Sequence, residues 1–203
     1  MDDATRRTIR YYDAYGPQMD ARMAKRDYTK LYDLFCKDLP DGTVLDIGCG
    51  SGRHLREFKE RGLTAIGIEP STTLRDLALQ AGHTVHDATI AGLPSLALPP
   101  LAGIWCAAVI HHIPKAEAYS AIRQFHQMLM PNGRLFITTR LGDWSGWEKH
   151  DESDTEERFI QLFEENELIE EFEVSGFTML HRETEQSYWS RPLPWLNCIA
   201  ERR

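Results

Sequence analysis

No run of about 18 consecutive apolar residues occurs anywhere in the chain, which excludes a membrane-spanning helix. The polar start, Met1-Asp-Asp-Ala-Thr-Arg-Arg, has no apolar stretch behind it, so no export signal is expected. Cysteine is scarce. Cys36, Cys49, Cys106 and Cys198 lie far apart with no C-x-x-C pair, which argues against a zinc site or a disulfide framework and for reduced thiols in a cytoplasm. His83, His86, His126, His150 and His181 show no ligand spacing either, so no metal is expected. Basic clusters are also missing. With 23 Lys and Arg against 31 Asp and Glu the formal charge is -8, and a nucleic acid would meet net repulsion. There is no internal repeat, heptad run or low-complexity tract.

What remains is 203 residues at 42% hydrophobic and 27% charged, enough for one α/β core and too few for two. The expected organisation is one domain over 1–203, with a helical cap over 1–40, a core over 41–140 and an acceptor-side loop and C-terminal hairpin over 141–203. Residues 1–30 are polar and helical in tone. Leu31, Leu34, Phe35 and Leu39 then recur at helical spacing until Pro40-Asp41-Gly42 stops the run. Apolar strands are expected at 44–47, 64–68, 84–86, 103–108 and 134–139. Helices alternate with them at 53–61, 71–81 and from Pro114, the second of these opened by Ser71 and closed by Gly82. Such alternation implies a parallel, doubly wound sheet with helices on both faces. Beyond it, residues 142–158 read as a Trp-, Gly- and charge-rich loop, and Asp151 to Arg158 as a solvated loop and helix start. A helix over 164–174 and strands at 177–183 and 195–200 close the chain.

The most informative segment is Val44-Leu-Asp-Ile-Gly-Cys-Gly-Ser-Gly52, followed by Glu69 in Ile66-Gly-Ile-Glu-Pro70. A strand running into alternate glycines, then a helix, then a strand ending on a carboxylate is how a Rossmann-type sheet holds an adenosine. The glycines admit the ligand to the backbone, and the carboxylate pairs with the ribose hydroxyls. The spacing is not the G-x-G-x-x-G of a dinucleotide site. Asp46, two residues before the first glycine, would repel a pyrophosphate and favour a cation, which disfavours a nicotinamide oxidoreductase.

On these residues the chain resembles the class I S-adenosylmethionine-dependent methyltransferases, of the bacterial small-molecule type, over nearly its whole length. The resemblance implies a seven-stranded sheet in the order 3-2-1-4-5-7-6 with the last strand antiparallel, and S-adenosyl-L-methionine as cofactor. Carried over residue by residue, it puts Asp46, Gly48, Cys49, Gly50 and Arg53 around the methionine part and Glu69, with Pro70 beside it, at the ribose. Asp87 and the backbone of Ala88 would meet the adenine, and Cys106, Ala107 and Ala108 would lie under the sulfonium. Tyr11, Tyr12 and Tyr15 resemble the helix that closes over the cofactor, with Tyr11 and Tyr15 taken as its cofactor-facing residues. Plainer roles stand beside several of these: Asp87 as a turn cap, Arg53 as an exposed helix residue, the tyrosines as helix packing.

Methyl transfer is a displacement at carbon, so the protein must chiefly align acceptor and donor and exclude water. A general base is needed only for an acceptor that keeps its proton at pH 7. His111 and His112, just beyond the fourth strand, are the candidates, with bracing of the next helix as the alternative role. Arg140, Trp144 and Trp147, with Trp189 and Arg191 at the border, would wall a small-molecule acceptor. A tRNA or protein acceptor, or a non-catalytic module of the same fold, remains open at this point.

Overall fold

The computed structural model describes residues 1–149, 155–186 and 193–203. Its strands in chain order are β1 (Thr43–Ile47), β2 (Thr64–Ile68), β3 (Val85–His86), β4 (Leu101–Ala107), β5 (Leu129–Arg140), β6 (Ser145–Lys149), β7 (Glu157–Gln161), β8 (Phe177–Glu185) and β9 (Trp195–Arg202). The helices are α1 (Asp3–Met23), α2 (Thr29–Cys36), α3 (Arg53–Glu60), α4 (Thr72–Gln80), α5 (Lys115–Met128) and α6 (Glu165–Val174). The main sheet runs β3-β2-β1-β4-β5-β9-β8. Its first five strands are parallel, whereas β9 is antiparallel to both β5 and β8. Discounting β6 and β7, which lie outside this sheet, that is the order 3-2-1-4-5-7-6.

Strand alternation sorts the core into two layers. Leu45 and Ile47 face the aliphatic layer, with Ile104, Ile122, Phe125, Leu168 and Phe172. Val44 and Trp105 face an aromatic layer with Tyr28, Tyr32, Phe35, Phe58 and Phe136. Trp105 is stacked on Phe136 with centroids 3.8 Å apart and on Tyr32 at 4.9 Å. The same alternation turns Asp46 toward the aromatic side, in register with Trp105 and fully buried.

The expected loop over 142–158 is a hairpin. β6 and β7 pair antiparallel in a two-stranded sheet of their own, with Trp147 opposite Phe159 and Glu148 opposite Arg158. Residues 150–154 of that stretch lie outside the described residues, but Arg158 is buried on a strand rather than solvated. The hairpin joins the rest through Leu141, which bridges to Phe163. None of the helices among the described residues is long and apolar enough to cross a membrane.

Candidate active site

The C-terminal ends of β1, β2, β4 and β5 open on one crevice, where the sequence changes direction across the sheet. α1 roofs it. Thr5, Thr8, Tyr12, Gly16, Met19 and Met23 fall three or four residues apart and, with Ile9, line the cavity as one helical face. Polar ties hold the roof down: Ser71 Oγ donates to Asp13 at 2.7 Å, Ser51 Oγ to Asp20 at 2.6 Å, and Arg53 Nη1 to the Met23 carbonyl at 2.6 Å. The cavity measures about 400 Å³, within the range of small-molecule sites.

One end is formed by the glycine turn after β1 and the carboxylate that follows β2. Gly48 and Gly50 adopt left-handed backbone conformations, φ 63° and 57°, which only glycine takes without strain. A Cβ on Gly50 would meet nothing nearer than Asp20 Oδ1 at 3.7 Å, so the backbone presents a bare surface to a ligand. Glu69 is buried at the cavity wall. Its Oε2 accepts from Gly50 N at 2.9 Å and its Oε1 from Ser71 N at 2.8 Å. Each carboxylate oxygen has capacity for a further donor, which fits two vicinal hydroxyls. Ala88, Ile90 and Val109 supply apolar walls beside it.

Burial raises the Glu69 carboxyl to about 7, against the backbone N–H groups of Ser71 and Gly50 and the charge of Arg75, which lower it. Two opposite pH dependences are expected. The folded chain binds this proton more tightly than the unfolded one, so the group's contribution to stability is full below about pH 4.5 and is lost as pH rises through 7. Hydroxyl recognition needs the charged form, so S-adenosylhomocysteine affinity should fall as pH drops from about 8 to about 6. Calorimetry across that range, compared with a Glu69→Gln variant, would show it. A slope of equal size in the variant would assign the effect elsewhere.

The structure brings Gly48, Cys49, Gly50, Arg53, Glu69, Pro70, Ala88, Ala107, Ala108, His111 and His112 to the cavity. Ala108 closes β4 with φ 60° while its N–H donates to the Thr138 carbonyl at 3.0 Å, a strained turn at the floor. Five expected residues are placed differently. Asp87 is 71% exposed and pairs with Arg75 at 3.2 Å, outside the main cavity. Tyr11 is buried behind Tyr12, in edge contact with it, and Tyr15 leans on Tyr11 rather than on the cavity. Cys106 is fully buried beneath the floor. Asp46 lies under the glycine loop, and neither carboxylate oxygen has a hydrogen-bond partner among the described residues. Burial first, then the neighbouring Glu69, pushes its carboxyl well above the usual range. It backs the loop instead of lining the cavity. Arg53 is tied to the Met23 carbonyl, to His54 Nε2 at 3.3 Å and to the Tyr28 ring, so it locks α1 to α3.

The other end is polar and walled by β5, the β6–β7 hairpin and β9. Arg140 Nη1 donates to both oxygens of Glu148, at 3.2 and 3.1 Å, and Arg158 Nη2 donates to Glu148 Oε1 at 2.9 Å. All three side chains are buried. Arg158 Nη1 donates to the Tyr12 hydroxyl at 3.3 Å, which donates in turn to His112 Nε2 at 2.8 Å. His112 Nδ1 lies 2.9 Å from the Phe159 carbonyl, an acceptor, so the ring proton sits on Nδ1. Both nitrogens of His112 are thus engaged, and burial followed by the charge of Arg158 lowers it to about 3. The ring braces α1 against β7. His111 shares a 3.4 Å hydrogen bond with Thr139 and meets Trp195 edge-on at 5.4 Å. Burial, with His112, Arg140 and Arg158 adding to it, holds it well below the ordinary histidine range.

Tyr12→Phe removes the link between Arg158 and His112. The expected cost is about 1 kcal/mol of unfolding free energy, read from urea denaturation. An unchanged midpoint would mean that the hydroxyl carries no net stabilisation.

Of the expected acceptor residues, Arg140 is in place. Trp144 is 44% exposed, and Trp147 packs under Arg7 and against Phe159; neither lines the cavity. Trp189 and Arg191 lie outside the described residues. Glu148, Arg158 and Trp195 were not singled out from the sequence. Among the described residues, no group of three His, Cys, Asp or Glu side chains is placed to hold a metal ion.

A family model described as a methyltransferase domain matches residues 18–182, and the chain belongs to this family, the S-adenosylmethionine-dependent methyltransferases of class I. An uncharacterized methyltransferase of Oceanobacillus iheyensis is 31% identical over 140 residues, 64% of this chain. The match spans 65% of that relative, less than two thirds of its length. Magnesium protoporphyrin IX methyltransferase of Synechocystis, solved with S-adenosylhomocysteine bound, superposes with a TM-score of 0.72 at 16% identity over 100% of both chains. A Burkholderia thailandensis 1,6-didemethyltoxoflavin-N1-methyltransferase has a TM-score of 0.68 at 19% identity, covering 100% of this chain and 91% of that one. At these identities the structures establish the fold, and the family match carries the cofactor class.

Proposed function

We propose that the protein is an enzyme that moves the methyl group of S-adenosyl-L-methionine to an oxygen or nitrogen of a small molecule. The observation that carries this reading is a nucleoside cradle, built on Gly48, Gly50 and Glu69, continuous with a roofed chamber lined by His111, Arg140, Arg158 and Trp195. The cofactor, when bound, supplies a methyl group already activated on a sulfonium. Glu69 holds the ribose, the glycine backbone admits the methionine end, and Ala107 and Ala108 shape the floor beneath the reacting centre. α1 excludes water, and residues 1–40 act as a cap. His111 orients an acceptor and His112 braces the roof. A net charge of -8 favours a small acceptor over a polyanion. All four cysteines are free, which suits a reducing cytoplasm.

The test is calorimetric titration with S-adenosylmethionine and S-adenosylhomocysteine, followed by measurement of S-adenosylhomocysteine release in the presence of small acids, phenols and amines. Micromolar cofactor binding and acceptor-dependent release are expected. Failure of both cofactors to bind would sink the enzyme reading and favour a non-catalytic module of this fold.

A further inference from the structure

Building on the methyl-transfer reading, we infer that the cofactor enters and leaves through a mouth between the short 3₁₀ turn Ile90–Ser95 and α5, and that this turn yields to let it pass while α1 stays shut.

Exposure locates the mouth. Most side chains lining the cavity are buried or half-buried. The exposed ones are Ala91 on the turn, Glu117 and Ser120 on α5, and Lys149 at the end of β6, on the acceptor side. Glu117, Ser120, Ala121 and Gln124 recur at helical spacing and line the cavity from one face of α5. The nucleoside end is the near one, since Ala88 and Ile90, which wall it beside Glu69, lead directly into Ala91. A cofactor with its ribose on Glu69 and its methionine end on the glycine loop therefore has its base nearest this mouth.

The elements around the cavity differ in how they are fastened, and α1 is tied along two edges. Toward α4, the Asp13 carboxylate accepts from Ser71 Oγ at 2.7 Å and from Thr73 N at 3.3 Å. Pro17 has no N–H to offer the Asp13 carbonyl one turn earlier, and Thr73 Oγ1 donates to that carbonyl instead, at 2.9 Å. Gly16 packs so closely on α4 that a Cβ there would come within 2.7 Å of Leu74 Cγ. Toward the hairpin, Arg7 Nη2 donates to Glu157 at 2.7 Å and Thr8 Oγ1 accepts from Phe159 N at 3.0 Å. The Tyr12 hydroxyl adds its bond to His112. Lifting α1 would break these bonds together.

The turn has no such fastening. Its Gly92 N donates to the Thr89 carbonyl, and Leu96 N to the Leu93 carbonyl, both within the segment. Among the described residues, no hydrogen bond or ion pair joins residues 90–95 to α1 or to α5. Leu93, with Ile90 and Leu96, seats the turn on the aliphatic layer by apolar contact. That contact is non-directional, so it tolerates a shift that would break a hydrogen bond. The strand before the turn, β3, is only two residues long and anchors it weakly. A segment with few long-range hydrogen bonds opens at low free energy. Opening at the turn is therefore easier than opening at the roof.

The test measures association and dissociation of S-adenosylhomocysteine by surface plasmon resonance, with calorimetry for the equilibrium constant. A bulky side chain on the rim, Ala91→Trp or Ser120→Trp, is expected to slow both rates by about ten-fold and to leave affinity within about two-fold. That pattern marks a barrier raised between two unchanged end states. Arg7→Ala and Thr73→Val loosen the roof at residues that do not line the cavity, and both rates should stay within about two-fold of wild type. Rim variants that exchange as fast as wild type, or that lose affinity through faster dissociation alone, would overturn the inference. So would roof variants that exchange more than about two-fold faster. Should the rim variants fail to fold, the roof variants decide alone, unchanged exchange supporting the mouth and faster exchange the roof. Wild-type protein that binds no S-adenosylhomocysteine is recognised before any variant is compared, and it removes the methyl-transfer reading itself.

Discussion

Replacing Glu148 with alanine is expected to lower the free energy of unfolding by about 3–5 kcal/mol, the scale for stripping one partner from a buried ion pair. Glu148 faces Arg158 directly across the hairpin and also accepts from Arg140 on β5. Its removal leaves two buried guanidiniums facing each other with their shared counter-charge gone. Since whole-domain stabilities are of order 5–15 kcal/mol, the variant should be close to unfolding at 37 °C. Urea titration at constant slope would measure the loss. Replacing all three side chains, by Arg140→Met, Glu148→Leu and Arg158→Met, should recover much of it, because a well-packed apolar cluster can replace a buried ionic one at little cost. A loss below about 1 kcal/mol for Glu148→Ala would mean that water reaches the pair and that it behaves as a surface bridge.

The second large effect is on ligand binding. Glu69→Ala should weaken S-adenosylhomocysteine binding by about 2 kcal/mol, roughly thirty-fold, the scale of hydrogen bonds to a charged acceptor. The carboxylate is aimed by two backbone donors, Gly50 and Ser71, so its lone pairs are oriented before any ligand arrives. Unfolding of the same variant without ligand serves as the control. The change in affinity should exceed the change in stability, because the ionised carboxylate is itself disfavoured by burial. Affinity within about two-fold of wild type would remove Glu69 from the ribose site.

The cradle was legible in the sequence because its chemistry is local. Asp46 to Gly52 and Glu69 sit at the ends of adjacent strands, and strand alternation together with left-handed glycines fixes where they go. The sheet order was equally accessible through the family resemblance. The roof was only half legible. Tyr11, Tyr12 and Tyr15 all belong to one amphipathic helix, but successive residues point about 100° apart, and docking against β7 and α4 decides that Tyr12 faces the cavity while Tyr11 is buried behind it. Asp87 was misplaced for a similar reason: β3 is two residues long, and Arg75 on α4 draws the side chain outward.

The acceptor wall was the least legible part. Its hairpin lies in a segment whose Trp, Gly and charged residues read as loop. Glu148 and Arg158 look like solvated charges until each is seen to bury the other, and that pairing is set by a register between two short strands rather than by local propensity. Asp46 shows the limit from the other direction: its position in the motif was plain, whereas its burial beneath the loop follows from the aromatic layer on that side of the sheet.

The hairpin also bears on how such a protein diversifies. β6 and β7 pair with each other in a two-stranded sheet of their own, and among the described residues the bridge between Leu141 and Phe163 lies where the chain passes between the two sheets. Half of the acceptor wall is therefore carried on an outrigger, while the cofactor cradle is anchored in the hull. Replacements along the outrigger can change what the chamber accepts without touching strand order, glycine loop or ribose acid.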